Sequence, residues 1–310
     1  MLQYLIILLD DTSTSFCHYE NKKSVHRLMP IEILKQGIRY GMMENLMIQF
    51  VYPDYELPSE YAEAIESIDH SKIKPLGNIA DVLVLNGWNF PTGNVKVPLV
   101  LRTTKTDLFA RYKKLEDVLT KVPRLNVVIT DAETFTDEEF NTYKEVLNDL
   151  SSYVEKLYVD GKSPQMNLLT DRMMLKEMNN CGAGDTTITL APNGKFYVCP
   201  GFYYDDELDS IGDMGNGLDI KNEQFYKLDH APICSHCDAY QCKRCIWLNR
   251  KTTLEVNTPS HEQCVLAHLE RNATRELLQN IRKHGTFLTD QEDIKEIDYL
   301  DPFCKKDNWQ

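Results

Sequence analysis

The stretch CGAGDTTITLAPNGKFYVCPG (residues 181–201) places two cysteines at the ends of a β-hairpin. Its runs TTITL and KFYV are short, β-branched and aromatic, and Asn193-Gly194 between them is the dipeptide that tight hairpin turns favour. Downstream, CSHCDAYQCKRC (234–245) carries two C-x2-C pairs four residues apart, and Cys264 follows on a helical segment. Cys181, Cys199, Cys234, Cys237, Cys242, Cys245 and Cys264 thus read C-x12-G-x4-C, then C-x2-C-x4-C-x2-C, then C. One metal centre needs no more than four thiolates, so seven suit two centres. Thiolates bind zinc or iron-sulfur clusters. The run 234–245 alone could form a zinc tetrahedron, with Cys181, Cys199 and Cys264 left as buried thiols. Pure sulfur ligation suits [4Fe-4S] clusters at least as well, and spacing alone leaves both open. His236, between two of the cysteines, could tune or replace a ligand, but reads more plainly as a solvent-facing loop residue.

Before this region the chain alternates short apolar runs with amphipathic ones. YLIILL (4–9), NLMIQFVY (45–52), ADVLVLN (80–86), VPLVLR (97–102), LNVVIT (125–130) and VEKLYVD (154–160) read as six strands. Residues 30–45, 57–68, 106–121 and 136–151 read as helices between them. Such alternation calls for an α/β fold of parallel strands with helical crossovers, and six strands fall short of a closed eightfold barrel. Asp10, Asp11, Asp54, Asn86, Arg102, Asp131 and Asp160 fall at strand ends, on the face where such folds put ligand chemistry. Asp and Asn also start loops and cap helices there, which is the plainer explanation. After the cysteine region, residues from Ser260 to Gly285 read as a helix, with Ser260 and Gln263 spaced as a capping box.

The 310 residues carry 34 Lys and Arg against 47 Asp and Glu, a net charge of −13. That balance argues against a protein that tracks nucleic-acid phosphates and supplies no polybasic membrane patch. The N-terminal MLQYLIILLDD lacks the basic start of a signal peptide and reads as a buried strand. No segment approaches the roughly 20 apolar residues of a membrane span. A cytoplasmic location follows as the expectation, and there nine cysteines point to metal rather than disulfides. Cys304 reads as a free thiol on an acidic tail.

The order C, G-x4-C, gap, C-x2-C…C…C, gap, C resembles the seven-cysteine signature of the SPASM domain, found in radical SAM enzymes that modify peptides. Residues Cys181, Gly194 and Cys199 match its first element in full, and in the second element each of the last two spacings is one residue shorter than the family's. The resemblance implies a partial (β/α)6 TIM-like barrel over 1–170, a SPASM domain over 171–265, and a C-terminal helix with an acidic tail over 266–310. It implies two [4Fe-4S] clusters, one on Cys234, Cys237, Cys242 and Cys264, the other on Cys181, Cys199 and Cys245 with its fourth iron open. Relatives with full ligation have a further cysteine shortly before the first one, where this chain has DRMMLKEMNN.

The family's first strand leads into a three-cysteine loop for the cluster that binds S-adenosylmethionine. Laid on DDTSTSFCHYEN (10–21), that motif puts Ser13, Cys17 and Glu20 at the three cysteine positions. One thiolate cannot hold that cluster, and the family's glycine-rich element after the second strand is replaced by FVYPDYE. A degenerate radical SAM barrel is therefore expected, with no functional S-adenosylmethionine site. Over nearly its full length the chain looks like the CXXX repeat peptide maturases. The resemblance implies a Cys-rich precursor peptide as partner, and either peptide maturation or a non-catalytic adaptor role beside a modifying enzyme. Cys17, His18 and Glu20 are candidates for a reassigned catalytic or metal site at the barrel mouth, and relics or packing residues otherwise.

Overall fold

The computed structural model describes residues 1–75 and 79–294, so Cys304 and the tail lie outside the described residues. In chain order the elements are β1 (Tyr4–Leu8), α1 (Ile31–Met43), β2 (Met47–Val51), α2 (Ser59–Glu66), β3 (Ser71–Pro75), β4 (Val82–Asn86), β5 (Leu99–Thr103), α3 (Lys105–Arg111), α4 (Lys114–Leu119), β6 (Leu125–Ile129), α5 (Asp137–Val159), α6 (Asp171–Met174), β7 (Thr187–Leu190), β8 (Phe196–Tyr197), α7 (Pro200–Asp205), α8 (Ile246–Thr253) and α9 (His261–Lys283).

Leu5, Ile6, Ile7 and Leu8 are all buried, a continuous apolar run rather than an alternation. That is what a parallel strand covered on both faces requires. The strand order is β6-β5-β4-β3-β2-β1-β7-β8, parallel from β6 through β7, with β6 and β8 at the edges. The fold is therefore the α/β architecture of parallel strands that the sequence implies, open rather than closed. The hairpin joins the same sheet: β7 runs parallel to β1, with Leu5 opposite Ile188, and β8 returns antiparallel to it. Gly194 in its turn has φ +77°, and Asn193 Oδ1 accepts from the Lys195 amide at 3.1 Å.

Several sequence expectations need correction. Residues 154–160 are not a strand but the end of α5, a 23-residue helix opened by a capping box at Thr136 and Glu139. Its buried residues Leu147, Leu150, Val154, Leu157 and Tyr158 keep helical spacing to the end, and Asp160 is its C-cap rather than a strand terminus. The sixth barrel strand is instead β3, SKIKP, which the sequence reading left unassigned. Only Ile73 in it is buried, so two lysines and a proline mask a strand that pairs on both sides. In addition, the helix expected over 106–121 divides into α3 and α4. Ser260 Oγ caps α9 at the Gln263 amide, but the Gln263 side chain donates to Asn249 Oδ1 instead of closing a capping box.

Helix α1 lies against the strands that carry β1 and the hairpin. A Cβ on Gly37 would stand 2.4 Å from a Leu190 methyl, and one on Gly41 would stand 2.6 Å from Ile48. Contact this close requires glycine for want of space, so Gly37→Val is expected to lower unfolding free energy by about 1–3 kcal/mol through overpacking. Denaturant unfolding checks this, and an unchanged midpoint would contradict the packing.

Candidate metal centres

The loop after β1 is held on all sides. Asp10 is fully buried: Tyr55 Oη donates to its Oδ2 at 3.0 Å and the Thr12 amide to its Oδ1 at 2.8 Å. Asp11 pairs with Arg27 at 2.9 Å and accepts from Tyr203. Arg102, at the end of β5, donates from Nε to the Cys17 carbonyl at 2.8 Å, from Nη2 to the Tyr19 carbonyl at 2.6 Å and from Nη1 to Asn86 at 2.7 Å. Asp131 accepts from the Lys105 amide, and Asp54 is exposed. The polar strand ends therefore anchor loops.

Ser13, Cys17 and Glu20, the three positions matched to the family's cysteines, go three ways. Ser13 is buried, its hydroxyl donating to the Val51 carbonyl at 2.8 Å and accepting from the Asp10 amide at 3.0 Å. Glu20 turns to solvent with its side chain 68% exposed, 3.9 Å from Lys22. Cys17 turns inward. His18 beside it donates from Nδ1 to the Ile129 carbonyl at 3.0 Å, and burial holds the ring below its ordinary pKa.

Cys17 meets the first group of thiols. Burial pushes the Cys17 thiol up, and Cys245 and Cys181 push it further. Burial with Cys181 and Cys17 does the same to Cys199, and burial with Cys181 and Cys199 to Cys245. Each pair within Cys17, Cys181, Cys199 and Cys245 is thus within electrostatic reach. Cys199 and Cys245 are the N-caps of α7 and α8, and amides of Gly201, Phe202, Trp247 and Leu248 point at their sulfurs. Amides at a helix start are what a thiolate needs. Arg102 and Lys243 add positive charge beside Cys17.

Cys234, Cys237 and Cys242 form the second group. Burial, then Cys237, pushes Cys234 up to about 11, while burial, then Cys234, pushes Cys242 up to about 12. Backbone amides reach these sulfurs too, Ala239 to Cys237 and Arg244 to Cys242, each at 3.4 Å. His268 Nε2 lies 3.5 Å from Cys237 Sγ. Cys264 precedes His268 by one turn on α9 and so shares its face. His268 was missed in the sequence, although its i,i+4 spacing from Cys264 was a readable signal. His236 is exposed, as expected.

An all-thiol donor set of this kind is one that iron-sulfur clusters take. Zinc with Zn–S of about 2.3 Å needs thiolates roughly 3.8 Å apart. Among the described residues, only Cys237, Asp238 and His268 bring three candidate ligand atoms within 4.8 Å of one another, and Asp238 is already paired with Arg271. Among the described residues, no three cysteine sulfurs all lie within 4.8 Å of one another. None of the eight described cysteines is in a disulfide.

No family model and no curated protein matches the chain. Solved structures do. Native anSMEcpe with bound AdoMet and a Cp18Cys peptide superposes with TM-score 0.62 and 12% identity, over 91% of this chain and 99% of that one. Histidine-tagged anSMEcpe with bound AdoMet gives TM-score 0.61 and 12% identity over 93% and 97%. This chain has the same fold. Its first thiol group, however, includes a residue from the loop after β1, which the spacing of the C-terminal cysteines could not reveal. No helix among the described residues is long and apolar enough to cross a membrane.

A cavity of about 100 Å³ lies beside both groups, lined among others by His18, Cys242, Cys245 and Glu270. Glu270 is buried and accepts from Tyr143 Oη at 2.8 Å, and burial raises it from the ordinary 4.5 to about 7. Its raised value makes the folded state bind the extra proton, so this stability is complete below pH 4.5 and is lost as pH rises through about 7. Unfolding measured across that window is expected to show wild-type stability falling relative to Glu270→Gln. A pH-independent difference would contradict it.

Proposed function

We propose that this protein takes part in maturing a ribosomally made, Cys-rich peptide of the CXXX-repeat kind, without radical chemistry on S-adenosylmethionine. The observation that carries the reading is the gathering of distant cysteines into two thiol groups on the fold of anSMEcpe, a protein solved with AdoMet and a peptide. Cys181, Cys199 and Cys245 would hold one [4Fe-4S] cluster, and Cys234, Cys237, Cys242 and Cys264 the other. Zn2+ is the alternative occupant that metal analysis separates. Such clusters supply electron transfer and thiolate-binding iron when present. The chain's own residues fix Cys199 and Cys245 at helix starts, and Arg102 and Lys243 stand beside the thiol group and offset the negative charge that thiolates bring.

The non-radical part rests on the loop after β1. Ser13 commits its hydroxyl to two backbone groups, and Glu20 faces water. Neither is placed to hold a cluster with Cys17. The same observation favours a second reading, a non-catalytic adaptor that presents the peptide to a partner modifying enzyme.

Protein purified without oxygen is expected to carry iron and acid-labile sulfide, about eight of each per chain for two four-iron clusters. With S-adenosylmethionine and a reductant it should form no 5′-deoxyadenosine, and its formation would contradict the non-radical reading. A synthetic peptide with cysteine at every fourth residue should bind more tightly than its serine counterpart in fluorescence anisotropy. Equal binding would contradict recognition of cysteine. Modification by the protein alone supports the maturase, and modification only with a partner supports the adaptor.

A further inference from the structure

We propose that Cys17 is the fourth ligand of the centre formed by Cys181, Cys199 and Cys245, so that a residue of the vestigial first-strand loop closes a cluster expected to be open. The inference rests on the iron-sulfur reading and adds the ligand that this reading lacks.

Three tethers bring the four residues together. The loop reaches α7, which Cys199 caps: Tyr19 stacks on Tyr204 with centroids 5.5 Å apart, and Tyr204 Oη donates to the Ser13 carbonyl at 3.4 Å. Helix α7 reaches α8, which Cys245 caps: Trp247 Nε1 donates to Asp205 at 2.6 Å, and the Trp247 ring fills the space a Cβ on Gly201 would take. Cys181 is tied to the same segment by its amide, which donates to the Lys243 carbonyl at 3.1 Å. Arg102 then sets the backbone of Cys17 from the barrel side by holding the carbonyls of Cys17 and Tyr19. It is a positioning residue.

The other groups near this centre are committed elsewhere. Asp171, in the segment where relatives carry their extra cysteine, pairs with Arg124 at 2.6 Å, and Glu177 is exposed. Asp10 and Asp11 hold their own partners, and the His18 Nδ1 is bonded to Ile129. The Cys17 sulfur, partly buried against the core, makes no hydrogen bond among the described residues. Thiolates are the ligands such clusters take, and four thiols would release their protons to solvent on binding.

The test compares anaerobically purified wild type with Cys17→Ala and Cys17→Ser, using Cys234→Ala as a control for the other group. Readouts are iron and sulfide per chain, low-temperature electron paramagnetic resonance after reduction, and the response of the spectrum to added 2-mercaptoethanol. Both Cys17 variants are expected to lose roughly one to four irons per chain, with the signal remaining in Cys234→Ala being the one they lose. The wild-type spectrum should ignore the added thiol, whereas any cluster retained by the variants should respond to it. Wild-type iron content and spectra in both variants, or a wild-type cluster that itself takes up the thiol, would overturn the assignment. Cys17→Ser preserves side-chain size and carries the test if circular dichroism shows Cys17→Ala unfolded. Wild-type protein without iron or sulfide would instead overturn the cluster reading beneath it.

Discussion

Everything distinctive in this molecule depends on β1 having a parallel partner on each side. Tyr4 to Leu8 pairs with Met47 to Val51 on one edge, and Tyr4 to Ile7 pairs with Thr187 to Leu190 on the other. A strand with only one neighbour would leave a row of unpaired backbone groups. Here the hairpin from far along the chain covers that edge and carries Cys181 and Cys199 to the strand that leads into Cys17. Glycines at 37 and 41 let α1 close over the junction.

The loop after β1 is ordered by a network of side-chain bonds to its own backbone and to neighbouring elements. Its serine is spent on backbone groups, its carboxylates on Arg27, Tyr55 and Tyr203, and its carbonyls on Arg102. Such a network fixes the path of the segment between Asp10 and Asn21. The thiol that remains is turned toward residues 181–245, a tie across most of the chain. A metal shared between those segments would contribute folding free energy as well as chemistry.

Much of this was legible in the sequence, and the exceptions have physical causes. Continuous apolar runs such as YLIILL announce strands buried on both faces, and Asn193-Gly194 fixes the hairpin. SKIKP was hidden because a strand between two others can bury one residue only, and the end of α5 was misread because Val154, Leu157 and Tyr158 fit a short strand when taken without the preceding turns. The cysteine grammar suggested two centres. It could not place Cys17 with the first, since that proximity arises from β1–β7 pairing and from Tyr19 on Tyr204, neither of which leaves a mark in cysteine spacing. His268 carried a weaker mark, its one-turn separation from Cys264.

The central claim is that one metal centre joins the first-strand loop to the C-terminal cysteine region. An anomalous difference map at the iron edge, from crystals grown without oxygen, tests it most directly. The account predicts two cluster-sized peaks, one of them enclosed by the sulfurs of Cys17, Cys181, Cys199 and Cys245. A peak held by the latter three with the Cys17 sulfur turned away, or single-ion density at the zinc edge, would contradict it.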